Sequence, residues 1–70
     1  DANTVEWTAG KLYDDAGSVL YAIQAGNTGN MSAESLVYFD VIANATIFST
    51  STKAAFIEKV NRVKILAANS

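Results

Sequence analysis

Leu36-Val37-Tyr38-Phe39-Asp40-Val41-Ile42-Ala43-Asn44-Ala45-Thr46-Ile47-Phe48 is the stretch on which the fold turns, because it holds the densest apolar run in the 70 residues. Asp40 and Asn44, four apart, are its main polar interruptions. Ser32 stands ahead of it as a helix N-cap, with Glu34 near the positive end of the helix dipole. The run is long and carries no hairpin-turn signal inside it, so the expectation is a helix over 32–48. The same residues also permit a strand: Val37, Phe39, Val41, Ala43 and Ala45 alternate, and Thr46-Ile47-Phe48-Ser49-Thr50 has high β-propensity. Periodicity alone does not separate the two for short apolar runs, and the helix is favoured on length and on the start signal.

Towards the N-terminus, Val5, Ala9, Leu12, Ala16, Val19, Leu20 and Ile23 recur at spacings of three and four, which lays them on one face of a helix over about 4–25. Asn3 can cap its first turn, with Glu6 reaching back as in a capping box, and Gly26 stands where a left-handed C-cap belongs. Gly10 and Gly17 inside the segment each cost a helix on the order of 1 kcal/mol relative to Ala. Ala9-Gly10 and Ala16-Gly17 would then form a smooth strip for a close-approaching backbone; simple tolerance of weak positions is the alternative. Gly26-Asn27-Thr28-Gly29-Asn30 tolerates positive φ and marks a turn over 26–31.

Towards the C-terminus, Ser49-Thr50-Ser51-Thr52 is either a loop or a polar stretch of one continuous helix. Beyond it, Phe56, Val60, Val63 and Ala67 make an apolar stripe, with Ile57 and Leu66 beside it and Lys53, Glu58, Lys59, Arg62 and Lys64 on the wet face. The expected fold is therefore all-α. It is a single small helical domain, a hairpin whose second arm either continues through 49–52 or breaks there to give three helices, the last over about 52–67. Ala67-Ala68-Asn69-Ser70 should fray.

A chain of this length buries a modest core, and with no Cys and no His it has neither disulfide nor zinc to compensate. Partner chains are the remaining source of stability, and a helix apolar nearly all round needs cover on more than one side. Charge is segregated: Asp1, Glu6, Asp14, Asp15, Glu34 and Asp40 face only Lys11 in residues 1–48, whereas Lys53, Lys59, Arg62 and Lys64 face only Glu58 thereafter. Either this is chance, or the acidic part of one copy meets the basic part of the next. The expected self-association interface is Gly10, Gly17, Val37, Tyr38, Val41, Ala45 and Phe48, with Asp14, Asp15, Lys59, Arg62 and Lys64 supplying charge complementarity. The aromatics Trp7, Tyr13, Tyr21 and Tyr38 suit either an interface or a core edge.

Little chemistry is legible. Asp14-Asp15 is the only carboxylate cluster, and on a helix neighbours point about 100° apart, so the two would not converge on one substrate. No phosphate-binding glycine loop is present. The expectation is no catalytic residue, no metal, no cofactor and no small-molecule substrate. A net charge of −2 argues against nucleic acid. No apolar run reaches the roughly 18 residues of a spanning helix, and the acidic balance argues against a membrane surface. Asn30-Met31-Ser32 and Asn44-Ala45-Thr46 match the glycosylation pattern; Asn30 in a turn can carry a glycan, Asn44 inside the apolar segment cannot. A start at Asp1-Ala2-Asn3 without Met reads as a trimmed chain and favours a secreted or surface location.

From Ser32 onward the chain resembles the C-terminal part of type III secretion needle subunits. The residues that carry this are Ala33-Glu34-Ser35-Leu36-Val37 after a loop, an apolar helix, a Ser/Thr-rich centre, and then Lys53-x-x-Phe56-Ile57-x-Lys59-Val60. Ala33 stands where that family usually has Pro, and Asp40 and Asn44 replace its Gln-rich middle. The resemblance implies a bacterial extracellular homopolymer of helical hairpins, its basic C-terminal helix towards the lumen. The functional expectation is a non-enzymatic structural subunit forming a homo-oligomer or filament. The alternative is a small binding module, or a subunit of a heteromeric complex, docking another protein through the apolar central segment.

Overall fold

Alternation governs the decisive run. Ser35, Val37 and Phe39 are buried while Leu36 and Tyr38 between them are half-covered, which is the period of a strand. The computed structural model describes residues 4–68, and these form β1 (Glu6–Trp7), β2 (Gly10–Tyr13), β3 (Val19–Ile23), β4 (Gly26–Asn27), β5 (Ser35–Asp40), β6 (Asn44–Thr52) and β7 (Arg62–Ala68). None of the described residues is helical. The all-α helical hairpin, with helices over 4–25, 32–48 and 52–67, is thus replaced by an all-β fold of three antiparallel sheets, β1-β4, β2-β3 and β6-β5-β7. The helical arms implied by the needle-subunit resemblance are replaced with it. Asn3, expected as a helix cap, lies outside the described residues, as do Asp1, Asn69 and Ser70.

Two turns undo the helices. Between β5 and β6 the chain reverses through Val41-Ile42-Ala43, and Asp40 makes the reversal by accepting hydrogen bonds at Oδ1 from the Ile42 and Ala43 amides, 3.0 and 2.9 Å away. A turn made of apolar residues leaves no Gly or Pro signal. Between β2 and β3, Asp14 Oδ1 accepts from the Ala16 and Ser18 amides, both at 2.9 Å, and Gly17 adopts φ +86°. That backbone conformation is one L side chains rarely take, so Gly17 serves a turn here rather than a smooth helix strip. Near the expected 26–31 turn, Gly29 sits at φ +68° just past β4.

β5 is the middle of the larger sheet. Val37 faces Thr50 of β6 and Leu66 of β7, and Phe39 faces Val63. Its inner face meets the other two sheets through aromatic rings: Tyr21 lies 5.1 Å from Phe39 edge-on, Phe39 is 6.0 Å from Phe48, and Phe48 is 5.3 Å from Trp7. Ile23, Met31, Val37 and Phe39 are the buried apolar residues. The Trp7 indole donates to the Gln24 carbonyl at 2.9 Å, and the Gln24 amide donates to Thr46 of β6 at 2.7 Å, tying the small sheets to the large one. The outer face is covered by residues 53–61, where Phe56 packs edge-on to Tyr38 at 5.0 Å. Those residues are turn and loop rather than the expected amphipathic helix.

Candidate interaction surface

The best-defined polar group in the chain is structural. Asp40, 2% exposed, accepts from Arg62 Nε at 2.9 Å and from Asn61 Nδ2 at 2.6 Å as well as from its own turn. The Ala43 amide and then the Arg62 guanidinium hold its carboxyl well below the usual carboxylate range. Arg62 also donates to the Ile57 carbonyl at 3.0 Å and lies over the Tyr38 and Phe56 rings, 5.0 and 5.6 Å from their centroids. These hydrogen bonds are all made within the chain itself. The cluster joins the 41–43 turn, the 57–61 loop and the start of β7.

The adjacent carboxylates Asp14 and Asp15, expected not to converge, are split in role. Asp14 caps its turn, whereas Asp15 is exposed beside it. Two open clefts flank the sheets. One of about 540 Å³ is lined by Ala33, Glu34, Thr52, Lys53 and Ala54, and one of about 390 Å³ by Glu6, Trp7, Thr8, Ala25, Gly26 and Asn27. Glu34 of the first pairs with Lys53 at 3.6 Å. Among the described residues no group of three or more acidic side chains is gathered as a metal would need.

The apolar surface is more informative. Residues 8–20, which include β2 and most of β3's outer end, are all exposed. They form a hairpin arm carrying Leu12, Tyr13, Val19 and Leu20 into solvent. A two-stranded ribbon alone is marginal in water, and this one is anchored only at its base by Tyr21 and Ile23. On the other side of the molecule, β7 leaves Val63 56%, Ile65 43% and Leu66 39% exposed, although Val63 and Leu66 lie opposite Phe39 and Val37 of the core strand. The reason is geometric: β3 packs against β6, so the inner face of the large sheet is covered on that side and left open over β7. Val60 at the loop before β7 is fully exposed, and Ile57 is 63% exposed.

Global measures agree. The surface of 4639 Å² exceeds the roughly 4,200 Å² typical of a folded monomer of this mass. The radius of gyration, 12.6 Å, exceeds the roughly 11 Å typical of this length. The chain is extended because its arm stands away from the core.

The residues expected at an interface are placed as follows. Val37, 1% exposed, lies inside the chain's own core, and Phe48 is engaged by Trp7 and Phe39. Tyr38 is covered by Phe56 and Arg62. Val41 and Ala45 are half-buried beside the 41–43 turn, and Gly10 and Gly17 are exposed on the arm. Of the charged set, Arg62 is committed to Asp40 and Lys64 pairs with Glu58, while Asp15 and Lys59 are exposed without an ion pair among the described residues. Asn44, expected inside the packing, is exposed at the start of β6, where its Oδ1 accepts from Thr46. The surface that sequence reasoning missed is Val60, Val63, Ile65 and Leu66. Read as a helix, Val60 and Val63 belong to a buried stripe; the same residues in a loop and an edge strand stand outside.

No family model, curated protein or solved structure matches the chain.

Proposed function

We propose that the chain is a non-enzymatic structural module that self-associates, building a homo-oligomer or filament at an extracellular or cell-surface location. The observation that carries this reading is the partly uncovered apolar flank of β7, where Val63 and Leu66 continue the core of the sheet but remain 56% and 39% exposed. Adjacent exposed apolar side chains of this kind mark protein contact surfaces. A second copy supplies the same chemistry in the same amount. The absence of Cys and His, which removes disulfides and zinc as staples, adds to the need for a partner.

Sedimentation velocity over a wide concentration range tests it, comparing the natural chain with Val63→Lys/Leu66→Lys. Each of the two side chains has about half its surface left to bury, worth about 1 kcal/mol each. Losing both weakens the contact by about 30-fold. Concentration-dependent mass that the double substitution abolishes supports the reading. A natural chain that stays monomeric at all concentrations overturns it, and a different protein that binds it one-to-one through the same residues would take its place.

A further inference from the structure

Two stretches carry the Asn-x-Ser/Thr pattern of an N-linked glycan acceptor, Asn30-Met31-Ser32 and Asn44-Ala45-Thr46. A helix over 32–48 would bury Asn44 in its packing, but the strands do not. Asn44 is exposed at the start of β6, directly after the 41–43 turn, and Thr46 is exposed with it. We propose that Asn44 is a site of N-linked glycosylation, its side-chain amide the acceptor and a lipid-linked pyrophosphate oligosaccharide the donor. The site rests on the extracellular location proposed above in that the chain must cross a secretory lumen holding the transferase.

The hydrogen bonding of Asn44 leaves the reacting atom open. Its Oδ1 accepts from the Thr46 hydroxyl at 2.9 Å and from the Thr46 amide at 3.2 Å. A backbone N–H only donates, so the atom it meets is the oxygen, and this fixes which way the side-chain amide is turned. Nδ2 makes none of the hydrogen bonds found among the described residues. Two donors at Oδ1 draw electron density from the amide and make the Nδ2 protons more acidic. The hydroxyl that does so is the one the acceptor pattern demands. In the transfer, Nδ2 bonds to C1 of the first sugar. The bond from C1 to the pyrophosphate oxygen breaks, its electron pair leaves on the lipid pyrophosphate, and one Nδ2 proton passes to a base of the transferase. Nothing is oxidised or reduced.

Asn30 is exposed as well, but its triplet is built differently. Met31 is 5% exposed, and no hydrogen bond joins Asn30 to Ser32 among the described residues. Engaging that triplet in the folded chain draws a core side chain out, whereas Ala45 is small and only half-buried. Room for the glycan is the second requirement. Ile42, two residues before Asn44, is 79% exposed, and Ala43 between them is exposed too. A bulky polar glycan at Asn44 therefore displaces no packed side chain. Its support is fixed, since Asp40, the ladder partner of Asn44, holds the Ile42 and Ala43 amides.

Secretion of the full chain from a eukaryotic cell line, behind an added cleavable signal sequence, tests the acceptor whatever the natural location. Peptide-N-glycosidase in heavy-oxygen water converts each glycan-bearing Asn to a labelled Asp, which mass spectrometry places in the sequence. A glycan at Asn44 is expected, lost in Thr46→Ala and kept in Thr46→Ser. A secreted chain with no glycan, or with one at Asn30 alone, overturns the proposal. Urea unfolding supplies the second readout, comparing the glycosylated chain with the same sequence made in bacteria without the glycan. The glycosylated midpoint should be no lower; a clear fall would show that the fold does not accommodate a glycan at Asn44 and would also overturn the site. The two readings fail separately. A chain that carries the glycan when secreted but lacks it when isolated from its own cells sinks the extracellular location and not the acceptor.

Discussion

Phe39→Leu tests how the arm is held to the sheet. Phe39 is 3% exposed and stands between two rings, Tyr21 at 5.1 Å and Phe48 at 6.0 Å, both edge-on. Each such pair contributes about 0.5–1.5 kcal/mol beyond the area it buries. Leucine keeps most of the apolar volume and removes both ring contacts, so the expected loss is about 1–3 kcal/mol. A chain of 70 residues has about 3.5–10 kcal/mol of stability in total, so the variant remains folded. Its Tm should fall by about 4–8 °C for each kcal/mol lost. The share that belongs to the arm is isolated by a double-mutant cycle with Tyr21→Leu, using urea unfolding at one fixed protein concentration. A coupling of about 0.5–1.5 kcal/mol between the two positions is expected. Coupling near zero would refute the reasoning, since it would mean that β3 is not seated on β5 through this pair.

At Gly26, a Cβ would come within 2.8 Å of both Ile47 Cδ1 and Trp7 Cζ2, and the indole is pinned by its bond to Gln24, so Gly26→Ala should cost about 1–3 kcal/mol; an unchanged urea midpoint would contradict this. The Asp40 carboxyl titrates lower in the folded chain than the ordinary value of about 3.9 it has when unfolded. Its stabilising contribution is therefore complete above about pH 4 and is lost as pH falls towards the folded value. Asp40→Asn should accordingly lower the urea midpoint strongly at pH 7 and by less at pH 3, and a deficit of the same size at both would rule out the linkage. Val63→Lys/Leu66→Lys should reduce the concentration dependence of mass while lowering the urea midpoint of the monomer far less than a core substitution at Phe39 does, because the two side chains are already 56% and 39% exposed.

The charge segregation is legible in the residues; the fold is not. Residues 36–48 carry both periods, and the length of the run, the start signal at Ser32 and the lack of a turn signal inside it favour the helix. The turn is there, built from Val41, Ile42 and Ala43 and organised by Asp40, which in the sequence reads only as a polar interruption. The signal lay in the side chain before the turn, not in the turn residues. In residues 4–25 the three-and-four spacing of Val5, Ala9, Leu12, Ala16, Val19, Leu20 and Ile23 was coincidental. Asp14-Asp15-Ala16-Gly17-Ser18 could have shown it, since an Asp followed three residues later by Gly is turn chemistry with a mechanism. For the interaction surface, the error followed from the first. A helix would bury Val60 and Val63 with Phe56, whereas a loop and an edge strand separate Phe56, which packs on Tyr38, from Val60 and Val63, which do not pack.

The central position of β5 divides the chain into parts with unequal resistance to opening. Its amides and carbonyls are shared between β6 and β7, so exchange of its hydrogens with solvent requires the whole sheet to come apart. The β2-β3 ribbon shares no ladder with that sheet, and beyond Tyr21 its exchange needs only the arm to fray. The ribbon is therefore the part of the chain that rearranges at little cost, while β5 holds its place until the sheet itself opens.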